Sequence, residues 1–247
     1  MLYGPPRSGK THFAGTFPAP VIIAPSLCKN ELMTLGDSEI PIAFFSSTKE
    51  AIKICKDLAR DAKNGFKTSG GFRTIIVDNL TVAAQMWLAE LEAQDTAHFN
   101  PQRDIWGALS ATILSMYRTL HALENVHVIW ICHDQMRFHT QGRGREKETV
   151  AVGDFSVPGN AFQNIVSKTC IIAHTELIAT ATKRIYRVWF KKDGIWIAGG
   201  WFPESRTLAR NLEYIGVPKH KNVHYDVFAE ALGLPSKETE EKRIFGE

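Results

Sequence analysis

The chain has 247 residues, 44% hydrophobic and 22% charged, with a formal net charge of +3. This suits one sizeable globular domain with at most a small appendage. It excludes a globally basic nucleic-acid binder, so any such contact must come from local clustering. The four cysteines, Cys28, Cys55, Cys132 and Cys170, form no CxxC pair, which argues against a zinc site or a disulfide framework. They read as thiols in a reducing cytosol, so a cytoplasmic protein is expected. There is no signal peptide and no apolar run of about 18 residues, so no membrane partner is expected.

In chain order, the first feature is Gly4-Pro5-Pro6-Arg7-Ser8-Gly9-Lys10-Thr11. It matches the P-loop pattern of two glycines flanking four residues, followed by Lys and Ser/Thr. Gly4 and Gly9 let the backbone curl so that successive N–H groups converge on one anion. A helix opening near Lys10 adds its positive end. Lys10 would reach the β and γ phosphates of ATP, and the Thr11 hydroxyl would bind Mg²⁺. Only Met1, Leu2 and Tyr3 precede Gly4, fewer than the about five residues of an ordinary strand. Either that strand is short or the chain continues upstream of Met1.

Val21–Ala24 and Ile42–Phe45 read as short apolar strands. Thr48 is expected to cap a helix reaching Lys63, with Ile52, Cys55, Leu58 and Ala59 on one face. Thr74-Ile-Ile-Val77 is a buried strand ending in Asp78. Helical patterns cover about Thr81–Ala93 and Asp104–Leu123, and Val126–Cys132 is another buried strand. Strands alternating with helices imply an α/β fold with a mostly parallel sheet covered on both faces. Asp78 stands where such sheets place their ligands, the position of a Walker B carboxylate that holds Mg²⁺ through water. The competing reading is a strand-end Asp that caps the next helix. His133 ends the following strand and should lie beside Asp78, where it could contact the γ phosphate or the attacking water. A hydrogen-bonded strand-end histidine is the alternative.

Residues 136–158 read as a basic flexible loop. Arg137, Arg143, Arg145 and Lys147 would grip backbone phosphates without reading sequence, and Phe138 would stack on a base. His139 adds to the patch, and Glu146 and Glu148 dilute it. A solvated charged loop is the plain alternative. Gly159–Ser167 reads as a short helix. Cys170–Ile178, Ile185–Phe190 and Ile195–Ala198 read as a β-meander, with Asp193-Gly194 as a hairpin signal. Tyr225–Leu232 is a short helix, and 236–247 is expected to be a charged, loosely ordered tail.

From Thr74 onward this order resembles the RecA ATPase core. A strand ending in Asp78 is followed by two helices, the strand ending at His133, and a flexible loop. Then comes Gly159-Asn160-Ala161-Phe162 opening a helix, and then a C-terminal β-meander over 170–202. The chain most resembles the short RecA-like P-loop ATPases of bacteriophages, recombination proteins grouped with single-strand annealing proteins. The resemblance implies one RecA-like domain over 1–235 and an ATP–Mg²⁺ site between subunits of a ring or filament. It implies single-stranded DNA as partner, with a single-strand-binding protein as a further one. His133 then takes the nucleotide-sensing role held by a glutamine in RecA. Arg137–Lys147 becomes a DNA-contacting loop ordered by ATP. Lys191 and Lys192 become cations that reach the neighbouring subunit's γ phosphate, unless they are a solvated hairpin end.

One departure concerns the base. RecA-like enzymes keep a glutamate at the end of an early strand, whereas this chain reads Val21-Ile-Ile-Ala-Pro25-Ser26-Leu27 there. Glu31 follows as a candidate displaced base, with Asp37 and Glu39 later still. Without a base, positioning and electrostatics still support slow turnover. A nucleotide-gated DNA-binding scaffold is therefore the main alternative, and a P-loop packaging motor or small-molecule kinase a third. Two bland readings complete the set. Trp87 and Trp106 fit core or subunit contacts. Phe228-Ala-Glu-Ala231 fits the apolar face of a small helix, although it also looks like a recombinase oligomerisation motif.

Overall fold

The computed structural model describes residues 1–32, 35, 39–66, 71–94, 101–141, 148–157, 165–166, 168–179, 184–190, 195–196, 198–200, 214–217 and 224–245. Strand β1 (Leu2–Gly4) runs into the P-loop and helix α1 (Lys10–Gly15). β2 (Pro20–Pro25) leads through a 3₁₀ turn at Ser26–Cys28 into the single turn α2 (Lys29–Leu32). β3 (Ile42–Phe45), α3 (Thr48–Lys63), β4 (Thr74–Val77), α4 (Leu80–Gln94) and α5 (Pro101–His121) follow. β5 (His127–Gln141) and β6 (Glu148–Phe155) come next, then β7 (Ile171–Ala179), β8 (Arg184–Trp189), β9 (Gly199–Gly200) and β10 (Tyr214–Val217). Helices α6 (Tyr225–Leu232) and α7 (Lys237–Phe245) close the described chain.

The strands form one sheet in the order β10-β8-β7-β1-β5-β4-β2-β3, with β6 added to β5 and β9 to β7. From β7 to β3 the main path is parallel, and β8 and β10 add antiparallel to it. Each central strand divides its residues between two cores, as a period of two requires. Tyr3, Ile23, Ile75, Val77, Trp130 and Cys132 enter a core with residues of α3, α4 and α5. Their neighbours Leu2, Ile22, Ile76 and Ile131 enter the opposite core with Phe13 and Phe17 of the α1 segment and Phe228 of α6. A strand buried on both faces reads as a continuous apolar run, which is why Val21–Ala24 and Thr74–Val77 are legible. Because β1, β2, β4 and β5 run parallel, the segments leaving β1, β2 and β4 emerge at one edge of the sheet, which β5 crosses at His133.

Several expectations need correction. Ser47, not Thr48, caps α3: its side chain accepts the Glu50 amide at 3.2 Å. Thr48 instead donates its hydroxyl to Glu90 on α4 at 2.8 Å. The described part of 136–158 is not a loop. It is a hairpin whose ladder runs from Asp134 opposite Phe155 to Gln141 opposite Glu148. Alternation in Met136-Arg-Phe138 and the β-branched residues Thr149, Val150 and Val152 favour that form. The third antiparallel strand of the meander is β10 on β8, not Ile195–Ala198. Among the described residues Trp196 bridges Gly153 of β6 and its ring stacks on His174. The segment 236–247 contains α7. There Lys242–Glu238 is an i,i+4 pair at 2.7 Å, and Glu240, 6% exposed, accepts from Arg73 Nε at 3.0 Å. The expected helix over Gly159–Ser167 and the Asp193-Gly194 turn lie outside the described residues, apart from Ile165 and Val166. Among the described residues no helix is long and apolar enough to cross a membrane.

Candidate nucleotide site

The P-loop leaves β1 at Gly4, which stands in register with His133 of β5. Two of its residues take left-handed backbone, Arg7 at φ 62° and Gly9 at φ 85°. Gly9 also caps α1, its carbonyl accepting the Phe13 amide at 2.9 Å. A side chain at Gly4 has no room, since its Cβ would stand 2.3 Å from the Thr175 carbonyl oxygen. The motif's glycines thus answer both curvature and close approach.

Lys10 is 6% exposed, and its ammonium folds back on the loop. Nζ donates to the Gly4 carbonyl at 2.8 Å and to the Pro5 carbonyl at 2.7 Å. Burial pushes its pKa down, and the negative charge of Asp78 pulls it back up. Thr11 donates its hydroxyl to Asp78 Oδ2 at 2.5 Å. Burial pushes the Asp78 carboxyl up to about 6, against the pull of the Thr11 bond and the Lys10 charge. A divalent cation would favour the charged form of such a carboxylate. A hydroxyl and a carboxylate oxygen side by side are the hard donors Mg²⁺ takes, the rest being phosphate and water. Among the described residues no cluster of three or more His, Cys, Asp or Glu stands ready to hold a metal. The two donors at Thr11 and Asp78 suit an ion that arrives with its nucleotide.

Asp78 does not cap the next helix. Asn79 does, its Oδ1 accepting the Val82 amide at 2.7 Å. That leaves the Asn79 amide nitrogen as the donor to His133 Nε2, 3.2 Å away. His133 Nε2 is therefore an acceptor and its proton sits on Nδ1. The His133 backbone N–H donates to Thr81 Oγ1 at 2.9 Å. Burial pushes the imidazole pKa down and the Lys10 charge adds to that, so His133 is neutral near pH 7. The sheet order explains the grouping, because β5 lies between the P-loop strand and β4.

Glu31 is exposed on α2, yet its charge is felt at Lys10, Asp78 and His133. The structure therefore brings it to the edge of the site. β2 pairs with β4, so the chain leaving β2 passes beside Asp78. Four residues here escape sequence reasoning. Asn79 carries a usable signal, since Asp-Asn before an apolar helix marks a cap. Asp134, whose charge is felt at Lys10 and His133, directly follows the expected sensor. Thr175 and Tyr186 touch the loop from β7 and β8 and carry no local signal. The Tyr186 ring lies 3.0 Å from where a Cβ on Gly9 would be.

The expected DNA residues divide. Phe138 is 69% exposed, and Met136, two residues earlier on the same face, 58%. Arg137 is engaged within the hairpin, with Nε 3.2 Å from Asp154 and Nη2 3.5 Å from the Val157 carbonyl. Arg143, Arg145, Lys147, Lys191, Lys192 and Asp37 lie outside the described residues. Trp87 is buried in the core and Trp106 is 38% exposed. Phe228 packs on Phe13, Phe17 and Phe190, which accounts for it as the apolar face of α6.

A family model described as an AAA domain matches residues 1–188, from the P-loop strand through most of β8. No curated protein matches the chain.

Proposed function

The chain belongs to the AAA domain family, a nucleotide-binding P-loop fold, and from that premise we propose that it is an ATPase of the RecA-like, phage-recombination type. In this reading Mg²⁺-ATP binding is coupled to single-stranded DNA. Gly4–Lys10 receives the phosphates, with Lys10 turning from the Gly4 and Pro5 carbonyls to the β and γ oxygens. Thr11 and Asp78 would hold Mg²⁺, which would supply charge neutralisation to the phosphates. His133 meets the γ phosphate or the attacking water with Nδ1–H or, after parting from Asn79, with Nε2. Glu31 is the candidate base.

One observation carries the DNA side of this reading. β5 is continuous from His133, at the phosphate end, into the hairpin that exposes Met136 and Phe138. The unbroken strand gives a displacement at His133 a direct covalent and hydrogen-bonded route to the exposed ring of Phe138. The basic residues Arg143, Arg145 and Lys147 follow in sequence, where they would draw in a polyanion. Homo-oligomerisation and a trans role for Lys191 and Lys192 belong to the same proposal.

The test is single-stranded DNA binding with and without Mg²⁺-ATP. Wild type is compared with Lys10→Ala, Phe138→Ala and a double Arg143→Ala, Arg145→Ala variant. ATP-dependent binding lost in Lys10→Ala and weakened in the other two supports the reading. Normal binding by Phe138→Ala and by the double variant sinks the DNA assignment and leaves nucleotide binding standing. A nucleotide-gated scaffold is the second reading, favoured by the lack of an acid at the end of β2. Steady-state turnover with and without single-stranded DNA separates the two, and robust DNA-stimulated hydrolysis eliminates the scaffold. ATPase activity stimulated by duplex alone, without affinity for single strands, would point to a motor.

A further inference from the structure

The P-loop is braced by a side chain from a distant part of the chain. Thr175, fully buried on β7, donates its hydroxyl to the Tyr3 carbonyl at 3.1 Å. A hydroxyl has one proton to give. At its second contact, 2.5 Å from Ser8 Oγ, Thr175 therefore accepts and Ser8 donates. With its own proton committed, Ser8 Oγ faces Lys10 Nζ at 3.5 Å as an acceptor. The result is a directed chain from the lysine ammonium through Ser8 and Thr175 to the backbone of β1. Ser8 is 2% exposed, so no solvent replaces a missing member.

We propose that Thr175 is a positioning residue for the phosphate site: by fixing the Ser8 hydroxyl as an acceptor toward Lys10, it holds the loop open for a phosphate and the lysine head beside it. The inference rests on the nucleotide-binding reading of the loop. The fold itself does not need this hydroxyl. β7 is joined to β1 through the backbone at Leu2 opposite Ala173 and Tyr3 opposite His174. An isosteric valine would keep that ladder and the volume. It would leave the Tyr3 carbonyl without this donor and free Ser8 to rotate. A buried hydroxyl that loses its partner reorients or takes another, and the loop is its nearest source.

The test uses Thr175→Val, Thr175→Ser and Ser8→Ala in the full chain. Affinity for Mg²⁺-ATP is read by titration with a fluorescent analogue, and exchange of the Ser8 amide is followed without nucleotide. That amide bonds to the Pro5 carbonyl at 3.3 Å, so its exchange reports loop opening. Thr175→Val should weaken binding about tenfold and speed Ser8 exchange by a similar factor, while Thr175→Ser restores both. Ser8→Ala should weaken binding to the same degree, and adding Thr175→Val to it should cost nothing further. Wild-type affinity and exchange in Thr175→Val overturn the proposal. So does a serine variant as weak as the valine one, which would make the methyl group the cause. If the valine variant does not fold, normal binding by Ser8→Ala overturns it instead. Should wild type bind no nucleotide while exchange responds as stated, the brace stands and the nucleotide reading falls.

Discussion

Two stretches of β5, around His133 and around Phe138, are built in opposite ways. At the phosphate end, His133 is tied to Asn79 through its ring, to Thr81 through its N–H and to Ser156 through its carbonyl. Five residues later Phe138 is 69% exposed on a ribbon of two strands. Lys10 is anchored on the loop carbonyls and Thr11 on Asp78, whereas among the described residues no ring packs on Phe138. The difference separates two ways of awaiting a partner. A charged ligand is received best by a loop already held in shape, with its lysine parked beside it on carbonyls it can exchange for phosphate, since ordering the loop on binding would cost affinity. A stacking surface needs only an exposed ring held at a fixed place, and the backbone ladder provides that.

Four measurements would break or sharpen this contrast. The largest effect belongs to Lys10→Ala, which should reduce Mg²⁺-ATP affinity about 100-fold or more, because charge-assisted hydrogen bonds to phosphate are lost. Equilibrium titration reads it, and binding within about threefold of wild type would remove Lys10 from the site.

Asp78→Asn comes next, and its sign depends on pH. The folded carboxyl sits at about 6 against an ordinary 3.8. The folded state thus holds its proton more tightly than the unfolded state. Ligand-free stability should fall as pH rises through that window and then level off, at a cost of roughly 3 kcal/mol. The asparagine variant escapes that cost. It should melt higher than wild type above about pH 6 and nearly equal to it below about pH 4, while losing Mg²⁺-dependent nucleotide binding. Thermal melts across roughly pH 3–8 decide it, and a variant that melts lower at neutral pH would contradict the buried, cation-seeking carboxylate.

On the proposed DNA contact farther along β5, Phe138→Ala should lower single-stranded DNA affinity about tenfold, the loss of one stacked base. Its nucleotide affinity should be unchanged. The smallest effect is expected for Arg137→Ala. Its guanidinium is held by Asp154 and the Val157 carbonyl, and partly exposed ion pairs contribute about 0–1 kcal/mol. DNA affinity should change less than about threefold. A large loss there, with Phe138→Ala silent, would reverse the roles assigned to the two faces of the hairpin.

Much of the site is legible in local pattern. The α/β alternation, the P-loop and the acid after Thr74–Val77 all show within short windows, and the fold places Asp78 beside Thr11. His133 follows from counting strands: the register of β5 with β1 sets it opposite Gly4 of the P-loop, although its ring meets Asn79 rather than Asp78. The hairpin of β5 and β6 reads as a loop because its charges outweigh its alternation. The α7 segment reads as a tail because Glu240 finds its partner 167 residues away, at Arg73.

The sequence by itself determined the elements whose causes are local: backbone curvature at Gly9, a buried apolar run on each central strand, a polar group at each strand end. Tertiary structure alone decided which of those ends meet. Inserting β5 between β1 and β4 put the Asn79–His133 pair beside the phosphate cradle. Laying β7 along β1 put Thr175 under Ser8. The physical reason is that strand order follows from which apolar faces pack together over the whole sheet. No window of a few residues contains that information.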